Sequence, residues 1–127
     1  MSHILVVSND GRGLAQTLGI LNGAGYETSG ASCFEDATRL LQSRPPDLVI
    51  ADERLGEFNG LHVILKARDR RPETPAIVTT PRKNRGLEAD ARSLKVQCMV
   101  SSHDPSELLL TISRTLNMSA DIARRAS

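Results

Sequence analysis

Polar side chains that could bind phosphate or a metal ion follow directly after four short apolar runs of this chain. The runs cover residues 4–7, 48–51, 76–78 and 98–100, and each is too short for a helix. Their apolar residues are continuous rather than alternating, which is typical of strands buried on both faces. The polar or loop-forming residues that follow them are Ser8, Asn9 and Asp10; Asp52, Glu53 and Arg54; Thr79, Thr80 and Pro81; and Ser101 and Ser102. Because open α/β sheets bind ligands beyond the carboxyl ends of their parallel strands, we expect the chemistry of this chain at these positions.

The segments between the runs have the apolar spacing of amphipathic helices. Residues 26–31 are a fifth, weaker strand candidate, whose glycines and polar side chains place it near an edge of the sheet. Helix signals agree with this division, since Gly23 and Gly25 should end the first helix and Asp104 with Pro105 should begin the last. Five strands alternating with five helices predict an α/β fold, a doubly wound (βα)5 parallel five-stranded sheet with helices on both faces.

Length and composition limit the class of protein. The 127 residues, 39% of them hydrophobic, suffice for one domain, and we expect it to span residues 1–118, with 119–127 as a C-terminal tail or the start of a linker. The net charge of +1 predicts no direct binding of nucleic acid or of a membrane surface. Two distant cysteines, no export signal and no long apolar span indicate a protein of the reducing cytoplasm.

Residues 46–55, followed by Asn59-Gly60-Leu61, resemble the third strand and acceptor loop of response regulator receiver domains, the CheY-like family. Four further stretches fit the same template in order and spacing, so the resemblance covers residues 3 to 117: 4–7, 74–75, Thr80 and 104–108. It implies a flavodoxin-like sheet with strand order 2-1-3-4-5 and a role in bacterial two-component (phosphorelay) signal transduction. Asp52 would be the phospho-acceptor and Thr80 the switch residue that binds phosphate. The implied partner is a sensor histidine kinase or other signalling protein, with a homodimer as a further candidate.

Several positions depart from the family's pattern. The acidic pair that binds Mg²⁺ falls on Ser8 and Asn9, the switch aromatic falls on Cys98, and the lysine and following proline fall on Ser101 and Ser102. Phosphoryl transfer depends on positioning and on electrostatic stabilisation by metal ions and cations. We therefore expect phosphorylation of Asp52 to be weak, altered or absent.

The remaining metal candidates form a poor magnesium site. Mg²⁺ prefers carboxylates and water, and an asparagine carbonyl lacks the formal charge, so we expect Mg²⁺ binding to be weak or absent. The candidate ligand positions are Asn9, Asp10, Asp52 and Arg54. A guanidinium or ammonium from a nearby loop could supply the missing cation, although the simpler interpretation is that these are solvated loop charges. The candidate compensating cations are Arg54, Arg82 and Lys83.

Three functions are open at this point. The leading hypothesis is a non-enzymatic, atypical receiver that works by protein–protein contact, and the alternative is a functional phospho-acceptor in which Asn9, Asp10 and an arginine replace the usual groups. A small nucleotide-binding or enzymatic flavodoxin-like domain is the third. Its support is the Gly11-x-Gly13 sequence after the first strand, which lacks a third glycine. No histidine lies beside a nucleophile, and we expect surface or capping roles for His3, His62 and His103.

Overall fold

The computed structural model describes residues 2–101 and 104–126, and the side chains up to residue 118. Its elements in chain order are β1 (His3–Val7), α1 (Gly11–Gly23), β2 (Glu27–Ala31), α2 (Phe34–Ser43), β3 (Leu48–Asp52), β4 (Arg54–Leu55), β5 (Phe58–Asn59), α3 (Gly60–Arg70), β6 (Ala76–Thr80), α4 (Arg85–Ser93), β7 (Gln97–Val100) and α5 (Pro105–Ala126). Five parallel strands form the main sheet in the order β2-β1-β3-β6-β7. When only these five are counted, the order is 2-1-3-4-5, and the predicted fold is confirmed.

Alternate strand residues pack into two cores, one on each face of the sheet. Leu5, Val49 and Val78 lie in the core formed with helices α2, α3 and α4. Val6 and Ile50 lie in the opposite core, with helices α1 and α5. Because side chains alternate along a strand, this parity also determines which face each residue at a strand end points towards.

Two features of the chain differ from or extend the sequence expectations. Strands β4 and β5 form an antiparallel hairpin inside the acceptor loop, with Gly56 at its turn in the left-handed region (φ 67°). Strands of two residues are too short to show a periodic pattern, so this hairpin was not predicted. Helix α5 continues through the predicted tail to Ala126, and the boundary at residue 118 stays a prediction. No helix among residues 2–101 and 104–126 is long and apolar enough to cross a membrane.

The histidines were predicted to be surface or capping residues, and for His3 this is wrong. Its side chain is only 4% exposed, and Nε2 lies 2.7 Å from the Ser29 hydroxyl on the neighbouring strand β2. The prediction failed because His3 was taken to precede the first strand, whereas β1 begins at His3, which pairs with Glu27 of β2. His62 does cap helix α3, since its Nδ1 accepts from the Asn59 amide. His103 lies outside the described residues.

Candidate functional site

Strands β1, β3, β6 and β7 end at one edge of the sheet, where the register sets Asp52 beside Thr79. Ser8, Asp52 and Thr79 continue the face that carries Val6 and Ile50, so they point towards α1 and α5. A cavity of ≈ 370 Å³ opens there. Its polar lining residues include Ser8, Asp10, Asp52, Thr79 and Ser101.

Both oxygens of the Asp52 carboxylate accept hydrogen bonds from side-chain hydroxyls. Ser8 donates to Oδ2 at 2.5 Å, and Thr79 donates to Oδ1 at 2.6 Å. The Ser8 oxygen also accepts from the Asp10 amide at 3.2 Å, and its side chain is only 6% exposed. Hydrogen bonds to an ionised acceptor are shorter and stronger than neutral ones, so these two contacts hold the carboxylate in one orientation.

The first residue of helix α3 packs closely against the main chain of Asp52. This residue, Gly60, lies so close to that chain that an added Cβ would be 2.2 Å from the Asp52 carbonyl oxygen. The Gly60 amide donates to the Glu53 carbonyl at 2.9 Å, and the Glu53 amide donates to the Thr79 carbonyl at 2.7 Å. The glycine is needed because only a residue without Cβ allows this approach.

Thr80, the predicted switch residue, contacts the next carboxylate along the chain. Its hydroxyl is 2.9 Å from Glu53 Oε2 and 2.9 Å from the Arg82 carbonyl oxygen, and the residue is only 3% exposed. Its phosphate-binding role stays a prediction, because in this structure Thr79 contacts Asp52. Thr79 was among the strand-end residues expected to carry the chemistry but was given no contact with Asp52, although its parity with Ile77 on β6 places it on that face.

The candidate cations do not pair with Asp52 in the described part of the chain, where the ion pairs are Arg39 with Asp36 and Arg44 with Glu27. The hypothesis of a compensating cation therefore has no contact to support it. All three candidates are exposed, as solvated loop charges are: Arg54, Arg82 and Lys83.

The candidate metal ligands differ in how exposed they are. Asn9 and Asp10 are exposed, and only Asp52 of the predicted set lies half-buried at the strand end. Among the described residues, no group of three or more His, Cys, Asp or Glu side chains could hold a metal ion. Asp52 thus contacts two neutral hydroxyls, and Asp10 is the second carboxylate that lines the cavity.

The remaining positions that depart from the family's pattern lie on or after β7. Ser101 is exposed and lines the cavity, and its amide donates to the Thr80 carbonyl at 2.8 Å. Cys98 is half-buried; burial, and then the charges of Glu88 and Glu53, raise the pKa of its thiol. Ser102 lies outside the described residues.

The doubly wound fold with an aspartate at the end of its central strand is the arrangement that the receiver resemblance implies, and comparison with known proteins identifies the family. The sequence model of the response regulator receiver domain matches residues 4–112, and the chain belongs to this family. It is therefore a response regulator receiver domain of two-component signalling, a family whose members interact with histidine kinases and other signalling proteins.

Relatives and solved structures agree with this assignment. The chain is 30% identical to the alginate biosynthesis transcriptional regulatory protein AlgB of Pseudomonas aeruginosa over 96% of its length, and 31% identical to the photosynthetic apparatus regulatory protein RegA of Rhodobacter capsulatus over 61%. These matches cover 27% of AlgB and 42% of RegA, so the chain spans less than half of either relative.

Among solved structures, a CheY-like receiver domain protein from Methanospirillum hungatei shares the fold. Its TM-score is 0.86 at 22% identity, covering 95% of this chain and 98% of that one. TrrA from Thermotoga maritima, solved in complex with Mg²⁺–BeF, gives a TM-score of 0.80 at 26% identity, covering 91% of this chain and 99% of that one.

Proposed function

We propose that this chain is an atypical receiver domain that signals by protein–protein contact, with weak, altered or absent phosphorylation of Asp52. The observation that carries the proposal is the pair of hydroxyl contacts at Asp52, from Ser8 at 2.5 Å and Thr79 at 2.6 Å. Neutral hydrogen-bond donors stand where metal-dependent phosphoryl chemistry needs a divalent ion and cations.

The site fits Mg²⁺ poorly. Mg²⁺ needs octahedral oxygen ligands and is bound in proteins through carboxylates and water. Asp52 is a single carboxylate, both of whose oxygens already accept hydrogen bonds, while Asn9 and Asp10 are exposed. The Ser8 and Thr79 hydroxyls use one lone pair on each oxygen, so an ion would share this carboxylate with them, and Ser8 would offer it no charge. Mg²⁺ binding is accordingly weak.

The electrostatics also disfavour a phosphoryl group on Asp52. A transferred phosphoryl group spreads negative charge over its oxygens, and this charge needs nearby cations. The cavity is lined by Asp10 and Asp52, and no lysine or arginine contributes to its described lining. Each carboxylate oxygen also accepts a hydroxyl hydrogen bond, which stabilises the ionised carboxylate and makes it a weaker nucleophile. Both effects slow the reaction at Asp52.

The partner follows from the family. We propose that a cytoplasmic sensor histidine kinase or other signalling protein binds this chain, and that the chain itself catalyses no reaction. Its net charge of +1 gives no overall attraction to nucleic acid or to an anionic membrane. A second copy of the chain is the alternative partner, and sedimentation velocity of the purified protein separates the two cases.

Titration calorimetry with Mg²⁺ on the unmodified protein, Ser8→Asp and the control Ser32→Asp tests whether the missing carboxylate limits metal binding. Ser32 is exposed just after strand β2. A carboxylate about 4 Å from a divalent ion is worth roughly 2 kcal/mol even in bulk water, which is more than tenfold in affinity. We expect millimolar or weaker binding by the unmodified protein and at least tenfold tighter binding by Ser8→Asp alone. Submillimolar binding by the unmodified protein would overturn the proposal.

A further inference from the structure

Asp52 and Glu53 are consecutive carboxylates that point to opposite faces of the sheet. Each accepts a hydrogen bond from one of two consecutive threonine hydroxyls on strand β6. Thr79 donates to Asp52, and the Thr80 hydroxyl lies 2.9 Å from Glu53. The Asp52 pair faces the cavity. The Glu53–Thr80 pair contacts Arg82 and Asn84 in the loop that leads into helix α4. Neither the fold nor the chemistry at Asp52 explains why a carboxylate is at this position.

Glu53 also holds the first turn of helix α4 through Asn84. Glu53 Oε1 accepts from Asn84 Nδ2 at 3.0 Å. The oxygen of the same amide caps the helix by accepting from the Leu87 amide at 3.1 Å, and the Asn84 carbonyl accepts from the Glu88 amide at 2.9 Å. Asn84 thus uses its nitrogen for Glu53 and its oxygen for the helix, so one side-chain orientation satisfies both contacts.

The main chain of Glu53 cannot move independently of this arrangement. Its amide donates to Thr79 and its carbonyl accepts from Gly60, as described above. The carboxylate therefore projects from a fixed point and binds Thr80 and Asn84 with different oxygens. Charge-assisted hydrogen bonds from a fixed carboxylate are well suited to hold a loop in one conformation.

We propose that Glu53 is a positioning residue of the acceptor site, which holds the Thr80 hydroxyl away from Asp52 and fixes the start of helix α4. A threonine hydroxyl carries one proton, and a proton directed at Glu53 or the Arg82 carbonyl is not available to a group on Asp52. The effect of Glu53 on Asp52 rests on the proposed function, because it concerns a phosphoryl group at that residue. The effect on helix α4 does not depend on it.

Amide hydrogen exchange at Leu87 and Glu88 tests the hold on the helix. In Glu53→Ala we expect both amides to exchange about fivefold faster, the factor that corresponds to one hydrogen bond of about 1 kcal/mol. Glu53→Gln should give an intermediate exchange rate. The glutamine oxygen can accept from Thr80, but its NH₂ group would face the NH₂ group of Asn84, and two donors cannot form a hydrogen bond with each other. Glu57→Ala removes the same charge from an exposed position in the acceptor loop and should change nothing. Unchanged exchange in a folded Glu53→Ala would overturn the proposal.

Asn84→Asp provides a second test that does not depend on Glu53→Ala folding. Aspartate keeps the oxygen that caps Leu87 and adds negative charge at a helix N-terminus, so capping alone predicts equal or slower exchange. It also replaces the donor to Glu53 with a carboxylate that repels Glu53. Positioning by Glu53 therefore predicts faster exchange at Leu87 and Glu88, and equal or slower exchange would contradict it.

The claim about Thr80 is tested by phosphorylation with Mg²⁺ and acetyl phosphate, measured by intact mass. We expect Glu53→Ala to gain a larger phosphorylated fraction than Glu57→Ala, and Glu53→Ala/Thr80→Val to lose that gain because the hydroxyl is absent. If the phosphorylated fraction stays raised without the Thr80 hydroxyl, or rises equally in Glu57→Ala, the cause is the lost charge and the claim about Thr80 is wrong. The claim is also wrong if no variant is labelled. The proposed function fails instead if the unmodified protein is extensively labelled.

Discussion

Replacing Ser8 by alanine should destabilise the fold by about 2 kcal/mol. The side chain is only 6% exposed, and its hydroxyl donates to Asp52 at 2.5 Å while accepting from the Asp10 amide at 3.2 Å. Hydrogen bonds to charged groups contribute about 1.5–3 kcal/mol, and the Asp10 amide loses its acceptor in addition. Water from the cavity replaces part of this loss, which sets the estimate below the sum. Urea denaturation monitored by circular dichroism measures the difference.

A double-mutant cycle with Asp52→Asn isolates the contact itself. Asp52→Asn alone should change stability by less than about 1 kcal/mol, because the weaker neutral hydrogen bonds are offset by the removal of a half-buried charge that has no cationic partner among the described residues. In the Asp52→Asn background the Ser8 bond is neutral, worth about 1 kcal/mol, so the two changes should couple by about 1 kcal/mol. Equal costs of Ser8→Ala in both backgrounds would refute the contact. A loss of roughly 2 kcal/mol or more for Asp52→Asn, weakening with salt, would indicate a fixed ion pair instead.

Three further predictions concern the scaffold. Gly60→Ala should cost about 1–3 kcal/mol in urea denaturation because its Cβ meets the Asp52 carbonyl oxygen, whereas the control Gly19→Ala, with open space around it, should be neutral or stabilising. Arg68→Ala should cost about 2–3 kcal/mol, because the guanidinium binds three main-chain carbonyls and holds helix α3 to the end of α4, and Arg68→Lys should recover only part of the loss. Burial, and secondarily the charge of a neighbouring arginine, lowers the pKa of His3 from 6.5 in the folded protein. The contribution of His3 to the free energy of unfolding is therefore complete above pH 6.5 and is lost as the pH falls through the pKa of the folded state. His3→Gln should flatten this part of the pH–stability profile.

The fold was predictable because its signals are local and redundant. The apolar runs at β1, β3, β6 and β7 are short and continuous, as strands covered on both faces must be. The start of α5 was also specified locally, since the Asp104 side chain accepts from the Ser106 amide at 2.9 Å just before Pro105. Such signals depend on neighbours in the chain, which a sequence displays directly.

The site was only partly predictable because its contacts depend on register. The sequence placed Asp52 at a strand end, yet which threonine of β6 faces it depends on how two strands far apart in the chain are aligned. Thr80 received its role from the family's pattern, whereas Thr79 was expected at this edge without a stated contact, since a shift of one residue exchanges the two faces of a strand. The roles of Glu53 and Asn84 were hidden for the same reason, because their contact joins residues 31 positions apart.

The most direct test of the account is the intact mass of the protein after incubation with Mg²⁺ and acetyl phosphate, with Asp52→Asn as the control. Because Asp52 is held by the Ser8 and Thr79 hydroxyls and has no cation beside it in the described structure, the account predicts the mass of unmodified protein for most of the sample. A predominant species carrying one added phosphoryl group, absent from Asp52→Asn, would contradict it.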